Sequence, residues 1–241
     1  MDYQFPQVPY KVYSKTFLKD VHLVFKFATV HPDEILIADA KRYFETSFNG
    51  VILNDVDLSE GLNIKSTDEL VWFDFRWDKL TICMKSPMYK SFELTLVVME
   101  FALEFFKVIG ITTVANLIFY KFNELSYNVE RNVEVSSIMK QIFSNDLLKK
   151  MTPEDEVAQK NLSRWEKQIS YSDDESQFVI EFGFSRTTKE SNRGTLTLKT
   201  QIESKDVVHV NDIENTLRKF NQVLDNAFHW CILPEIIKEM E

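Results

Sequence analysis

Apolar and polar positions alternate in two distinct periods along this chain, and the periods divide it into elements. Val21, Leu23, Phe25 and Phe27 alternate with His22, Val24, Lys26 and Ala28, the pattern of a half-buried strand. His31-Pro32-Asp33-Glu34 opens a helix, with Pro and acids in its first turn and Leu36, Ala40, Tyr43 and Phe44 on one face; Asn49-Gly50 closes it. Val51 to Lys65 reads as a short strand and a loop. Leu70–Phe75 and Leu80–Met84 form a hairpin around Trp77-Asp78-Lys79, and Ser86-Pro87 ends its second strand.

The longest apolar stretch, Phe92 to Ile109, carries only Glu93, Glu100, Glu104 and Lys107 as charges. At about 100° per residue they share one stripe, so this is a helix to be wrapped on most sides. Ser91 is its expected N-cap and Gly110 its terminator. Thr112 to Phe122, β-branched and aromatic, follows as a strand.

Glu124 to Val135 is polar and reads as the boundary between two halves. Beyond it come a short amphipathic helix within Ser136–Met151, and three strands at Leu162–Tyr171, Phe178–Phe184 and Thr195–Glu203. A last helix begins at Asn211, with Glu214 completing a capping box. Ile213, Leu217, Phe220, Leu224, Ala227 and Cys231 recur at alternating steps of four and three. The expected architecture is therefore α+β, in two similar halves (residues 1–125 and 126–241), each an antiparallel sheet with a long packing helix. No residue-level repeat accompanies them.

Composition removes several functional classes. The chain has 241 residues and a net charge of −9, with 13 basic and 17 acidic side chains in residues 1–125 and 15 and 20 in the rest. Neither half offers the basic footprint of nucleic-acid binding. The five glycines, at 50, 61, 110, 183 and 194, never come within ten positions of one another, so phosphate-cradling loops are absent. The N-terminal residues lack a signal-peptide pattern, and two glutamates interrupt the apolar helix. The expectation is a cytoplasmic protein with no membrane span, its two cysteines, Cys83 and Cys231, reduced.

Several blocks taken together resemble a known family. KLTICMKSPMYKSFELTL, then Gly110, then LIFYKFN is similar to a sporadically distributed family of uncharacterised bacterial proteins, and Tyr89, Phe92, Gly110, Tyr120 and Asn123 stand at its pattern positions. The closing LRKFNQVLDNAFHWCILPEIIKEM resembles that family's last helix, with Phe228 and Ile232 in register. Two positions depart: Phe119 replaces an expected Arg, and Asn221 an expected His. The resemblance implies a fold and carries no assigned activity.

No motif assigns chemistry. His31, Asp33 and Glu34 suit a helix N-terminus better than a metal site, and no two histidines are close enough for a local zinc motif; no metal and no cofactor is expected. His229 and Cys231 point in different directions on one helix. The Glu93–Glu100–Glu104 row reads as a solvated edge, and Asp173-Asp174-Glu175 as a hairpin tip. The candidate binding residues are Trp72, Arg76 and Trp77 at the first hairpin, because Trp72 lies opposite the face of Val71, Phe73 and Phe75. The leading expectation is a non-catalytic binding or interaction protein with a protein or small-molecule partner. The alternative is an enzyme whose dispersed acid–base residues, Glu181, Asp74, Glu100 and Asn123, converge in a cleft between the halves. A third expectation is a homodimer through exposed edge strands.

Overall fold

A computed structural model describes residues 3, 5–9, 13, 16–47, 50–52, 60–86, 91–128, 135–151, 164–186 and 193–240. Its strands are β1 (Leu18–Lys26), β2 (Gly50–Ile52), β3 (Gly61–Ser66), β4 (Val71–Arg76), β5 (Lys79–Lys85), β6 (Thr113–Val114), β7 (Asn116–Asn128), β8 (Arg164–Ser172), β9 (Ser176–Arg186), β10 (Arg193–Ser204) and β11 (Val208–His209). The helices are α1 (Glu34–Ser47), α2 (Phe92–Val108), α3 (Val135–Met139), α4 (Asn145–Met151), α5 (Ile213–Cys231) and α6 (Pro234–Met240).

The protein is α+β, built on one large antiparallel sheet. Nine strands run in the order β2-β3-β4-β5-β1-β7-β10-β9-β8, while β6 and β11 pair separately. Separate sheets in the two parts of the chain were expected; β7 instead pairs with β1 on one side and with β10 on the other, joining everything into one surface. The polar stretch from Glu124 was read as the boundary between the halves, yet β7 continues through Asn128 because β10 pairs with it from Ile118 to Asn128. Pairing decided that segment, against its composition. The expected end of α1 at Asn49 and the turn at Pro87 and Tyr89 fall outside the described residues.

Period-two alternation places one row of each strand against the helices. Val21, Leu23 and Phe25 of β1 are fully buried, as are Leu80, Ile82 and Met84 of β5. Phenylalanines fill the space between sheet and helices. Phe105 of α2 lies 4.6 Å from the ring of Phe44 on α1 and 4.9 Å from Phe75 on β4, and Phe106 meets Phe25 edge-on at 5.3 Å. Val97 and the charged stripe of α2 stay exposed, so that helix is covered on one side less than its composition implies. All six stripe positions of α5 are fully buried.

The expected caps form only in part. Asp33 Oδ1 accepts from the Leu36 amide at 2.8 Å, but Ser91 makes no side-chain cap bond, and α5 begins after a 3-10 turn (Val210–Asp212) without a capping box. Glu214 bonds Arg218 instead, at 2.8 Å. Gly110 ends α2 at φ +74° with open space around it.

Gly61 is the stricter glycine. Its φ is +141°, and a Cβ there would lie 2.1 Å from the carbonyl oxygen of Phe75 across the ladder. Backbone cannot yield as a flexible side chain can. Gly61→Ala should therefore cost at least about 2 kcal/mol, against about 1 kcal/mol for Gly110→Ala, as measured by urea unfolding. Equal costs at the two sites would show that the β3–β4 pair adjusts freely.

Candidate functional site

The helices cover one face of the sheet; the opposite face carries the candidate site. Register brings together side chains far apart in sequence. Across the middle of the sheet, Lys65, Trp72, Cys83, His22, Tyr120 and Gln201 are successive cross-strand neighbours from β3 to β10. Six strands each contribute the residue opposite to their core row, so alternation alone put these groups on this face.

At the centre, the rings of His22 and Tyr120 stack at 4.3 Å with planes 11° apart. His22 Nε2 is 2.9 Å from Asp20 Oδ1, which leaves Nδ1 enclosed and without a partner among the described residues. Lys199 sits over the Tyr120 ring at 5.0 Å and pairs with both carboxylate oxygens of Glu181 at 3.3 Å. A connected row of acid, imidazole, phenol, amine and acid thus crosses β1, β7, β10 and β9.

Burial and nearby negative charge govern ionisation here. Desolvation first, then Asp20, Cys83 and Glu181, push the Tyr120 phenol up to about 12. Desolvation, reinforced by Asp20 and opposed by Lys85, raises the Cys83 thiol to about 11, so it is a protonated thiol at neutral pH. A folded-state value above the unfolded one means that the unfolded chain releases its proton first as pH rises. Tyr120 therefore contributes stability that is complete below pH about 10 and is lost as pH climbs toward 12. Tyr120→Phe should flatten the alkaline fall of stability across that window. Phenolate absorbance and unfolding at matched pH would read it, and an unchanged slope would mean the phenol is not shielded.

Beside this row lies a recess of about 420 Å³, walled by Phe122, Glu166, Gln168, Glu181, Thr197 and Lys199. Its floor is Gly183, where a Cβ would stand 2.4 Å from Thr197 Oγ1. The lining is polar on an aromatic base, a setting for a small polar group.

The hairpin candidates separate. Trp72 is on the open face and 42% exposed, with Lys85 and Lys65 nitrogens 4.7 and 5.5 Å from its ring. Lys65 also pairs with Glu69. Arg76 is on the same face, half-buried and 3.2 Å from Asp74. Trp77 is not exposed as expected. It is 6% exposed, edge-on to Phe75 at 4.9 Å, and its turn is tied down by Val30 donating to the Trp77 carbonyl and Phe27 to that of Asp78.

The four dispersed acid–base residues do not meet. Asp74 and Glu181 share the open face but stand five strand spacings apart, roughly 24 Å. Glu100 is exposed on α2, while Asn123 faces the core and donates to the Leu198 carbonyl at 3.3 Å. His229 accepts or donates at 2.5 Å to the hydroxyl of Tyr13, away from the buried Cys231 thiol. Among the described residues no group of three metal-ligating side chains converges, and no helix is long and apolar enough to cross a membrane.

Sequence reasoning gave no site role to Asp20, His22, Cys83, Tyr120 or Lys199. The alternation of β1 already turned His22 away from the core row; what it lacked was the strand order. No protein-family model matches the chain, and no curated protein is similar to it at a meaningful level.

Proposed function

We propose that this is a non-catalytic binding protein that meets a protein or small-molecule partner on the open face of its sheet. The observation that carries the proposal is the face itself: nine strands with all described helices on the other side, and Trp72, Tyr120 and Phe122 among its charged and polar groups. Such a face, roughly 40 Å across at ordinary strand spacing, is wide enough for a standard interface. Rings held by lysines and a histidine are rigid anchors that lose little entropy on binding.

The same proposal takes residues 1–125 and 126–241 as related halves. The first holds β1, a helix, the β2–β5 meander and the long helix α2, the second short helices, the β8–β10 meander and the long helix α5, and β7 straddles the boundary between them. Membership of the uncharacterised bacterial family belongs to this reading too, as do a cytoplasmic location and pairing of copies through the edge strands β2 and β8. The enzyme alternative gains no support from the separated acids or from a protonated Cys83.

The test is native mass spectrometry of the protein isolated gently from its own cells, compared with Trp72→Ala/Tyr120→Ala. We expect a companion mass that falls at least tenfold in the variant, an anchor loss of about 1.4 kcal/mol or more. A companion retained in full by a folded variant would remove this face as the site. Trp77 is unsuitable for the experiment, since its loss would disturb the core.

A further inference from the structure

Gly183 interrupts the open face in mid-strand. In the cross-strand row Thr197–Gly183–Glu166, on β10, β9 and β8, it stands between two substituted neighbours. A glycine inside a strand weakens it, and marks a bulge, a bend or a place where another group approaches closely. β9 pairs with β8 and β10 in unbroken register past residue 183, so no bulge requires it. Nor does the backbone, since Gly183 is not among the glycines at positive φ. What the glycine does is shape the recess of about 420 Å³: a Cβ would meet Thr197 Oγ1 at 2.4 Å and Glu166 Cγ at 3.5 Å. Small-molecule sites span about 300–1,000 Å³.

The walls are polar yet balanced in charge. Glu181 faces Lys199 at 3.3 Å, and Glu166 holds Arg164 at 2.7 Å. An anion would meet two carboxylates, and a cation the two bases that already neutralise them. Hydrogen-bonding capacity is what remains. Both Arg164 contacts fall on Glu166 Oε1, which leaves Oε2 its lone pairs. The Gln168 amide donates to Ser170, while its carbonyl and the Thr197 hydroxyl have no partner among the described residues. Phe122 closes the β7 end with an aromatic ring. Hydroxyl groups, which donate and accept at once, match walls of this kind, and carbon-bound hydrogens suit the electron-rich face of a ring.

We propose that the recess over Gly183 binds a neutral polyhydroxylated ring of the monosaccharide class. Glu166, Gln168, Glu181 and Lys199 take its hydroxyls, and Phe122 packs on its apolar side. The inference rests on the open face being a binding surface and names the ligand for one part of it.

The test is amide NMR titration of the intact wild-type chain with glucose, galactose, mannose and N-acetylglucosamine, each alone. Inorganic phosphate and free serine are the anionic and zwitterionic controls. At least one sugar should shift the amides of Glu181, Gly183 and Lys199 saturably, and both controls should leave them unmoved. Glu166→Ala and Gln168→Ala change exposed positions on the edge strand β8, where truncation spares the fold. Each should weaken that sugar about tenfold. Saturable shifts with phosphate or serine, no shift with any of the four sugars, or a sugar that both β8 variants bind as tightly as wild type overturns the proposal. The wider reading fails on different grounds: a companion mass kept by Trp72→Ala/Tyr120→Ala, in a chain whose recess still binds sugar, removes the partner face and leaves the recess standing.

Discussion

Phe105→Ala should lower the unfolding free energy by about 3–5 kcal/mol, the largest loss expected from any single truncation in the sheet–helix core. Phe105 is fully buried where three elements converge, with ring contacts at 4.6 Å to Phe44, 4.9 Å to Phe75 and 5.6 Å to Tyr43. Each neighbour is itself held by another: Phe44 by Phe73, Phe75 by Trp77. None can swing in without opening a second gap, so the cavity persists and its cost adds to the lost transfer energy. Urea unfolding of Phe105→Ala beside Val97→Ala, 61% exposed on the same helix, gives the comparison. A difference under about 1 kcal/mol would mean that α2 repacks freely.

Asp225→Ala should cost about 3 kcal/mol, although it removes only a carboxylate. Lys121 stands in the core row of β7, 9% exposed, and its ammonium reaches α5, 2.5 Å from Asp225 and 2.7 Å from Asn221 Oδ1. Asn221 in turn donates to the second Asp225 oxygen at 3.0 Å. Without the carboxylate, a nearly buried cation keeps an amide oxygen but loses its counter-charge. Replacing the pair together, Lys121→Met/Asp225→Leu, leaves no unpaired charge and should recover most of that loss. The surface pair Glu214–Arg218, about half exposed on both sides, is the control, and breaking it should cost under 1 kcal/mol. Similar losses for Asp225→Ala and Glu214→Ala would show that the Lys121 cluster is solvated.

Both expectations rest on features of unequal visibility in the sequence. The stripe of α5 and the alternation of β1, β4 and β5 could be read directly, since each records one element's own buried face. The clamp on Lys121 could not. A lysine among strand residues looks like an outward position until α5 is laid over β7 and supplies Asp225 and Asn221. Asn221 had stood out only as a departure from a family pattern; its role is defined by a residue 100 positions away. The failed caps at Ser91 and Asn211 follow the same logic, because a side chain's preference for capping yields when packing fixes the approach of the chain.

The candidate faces divide likewise. Trp72 was identified from its own strand, because the parity of Val71, Phe73 and Phe75 settles which way it points. Trp77 was misjudged because it sits in a turn, where parity ends and the turn's contact with residues 27–30 decides burial. His22, Tyr120 and Lys199 come together only through the order β1-β7-β10.

By itself, the sequence determined the elements, their buried rows, and the absence of phosphate-loop and local zinc motifs, since these depend on neighbours a few residues apart. Only the tertiary structure decided that nine of the strands share one sheet, that Lys121 is a core cation, and that Phe5 and Val8 pack on α5. The physical reason is that strand order and docking are set by hydrogen bonds and ring contacts between segments far apart in the chain, such as Lys26 and Lys79, 53 positions apart, or Val8 and Asn226, 218 apart. Local periodicity carries no record of them.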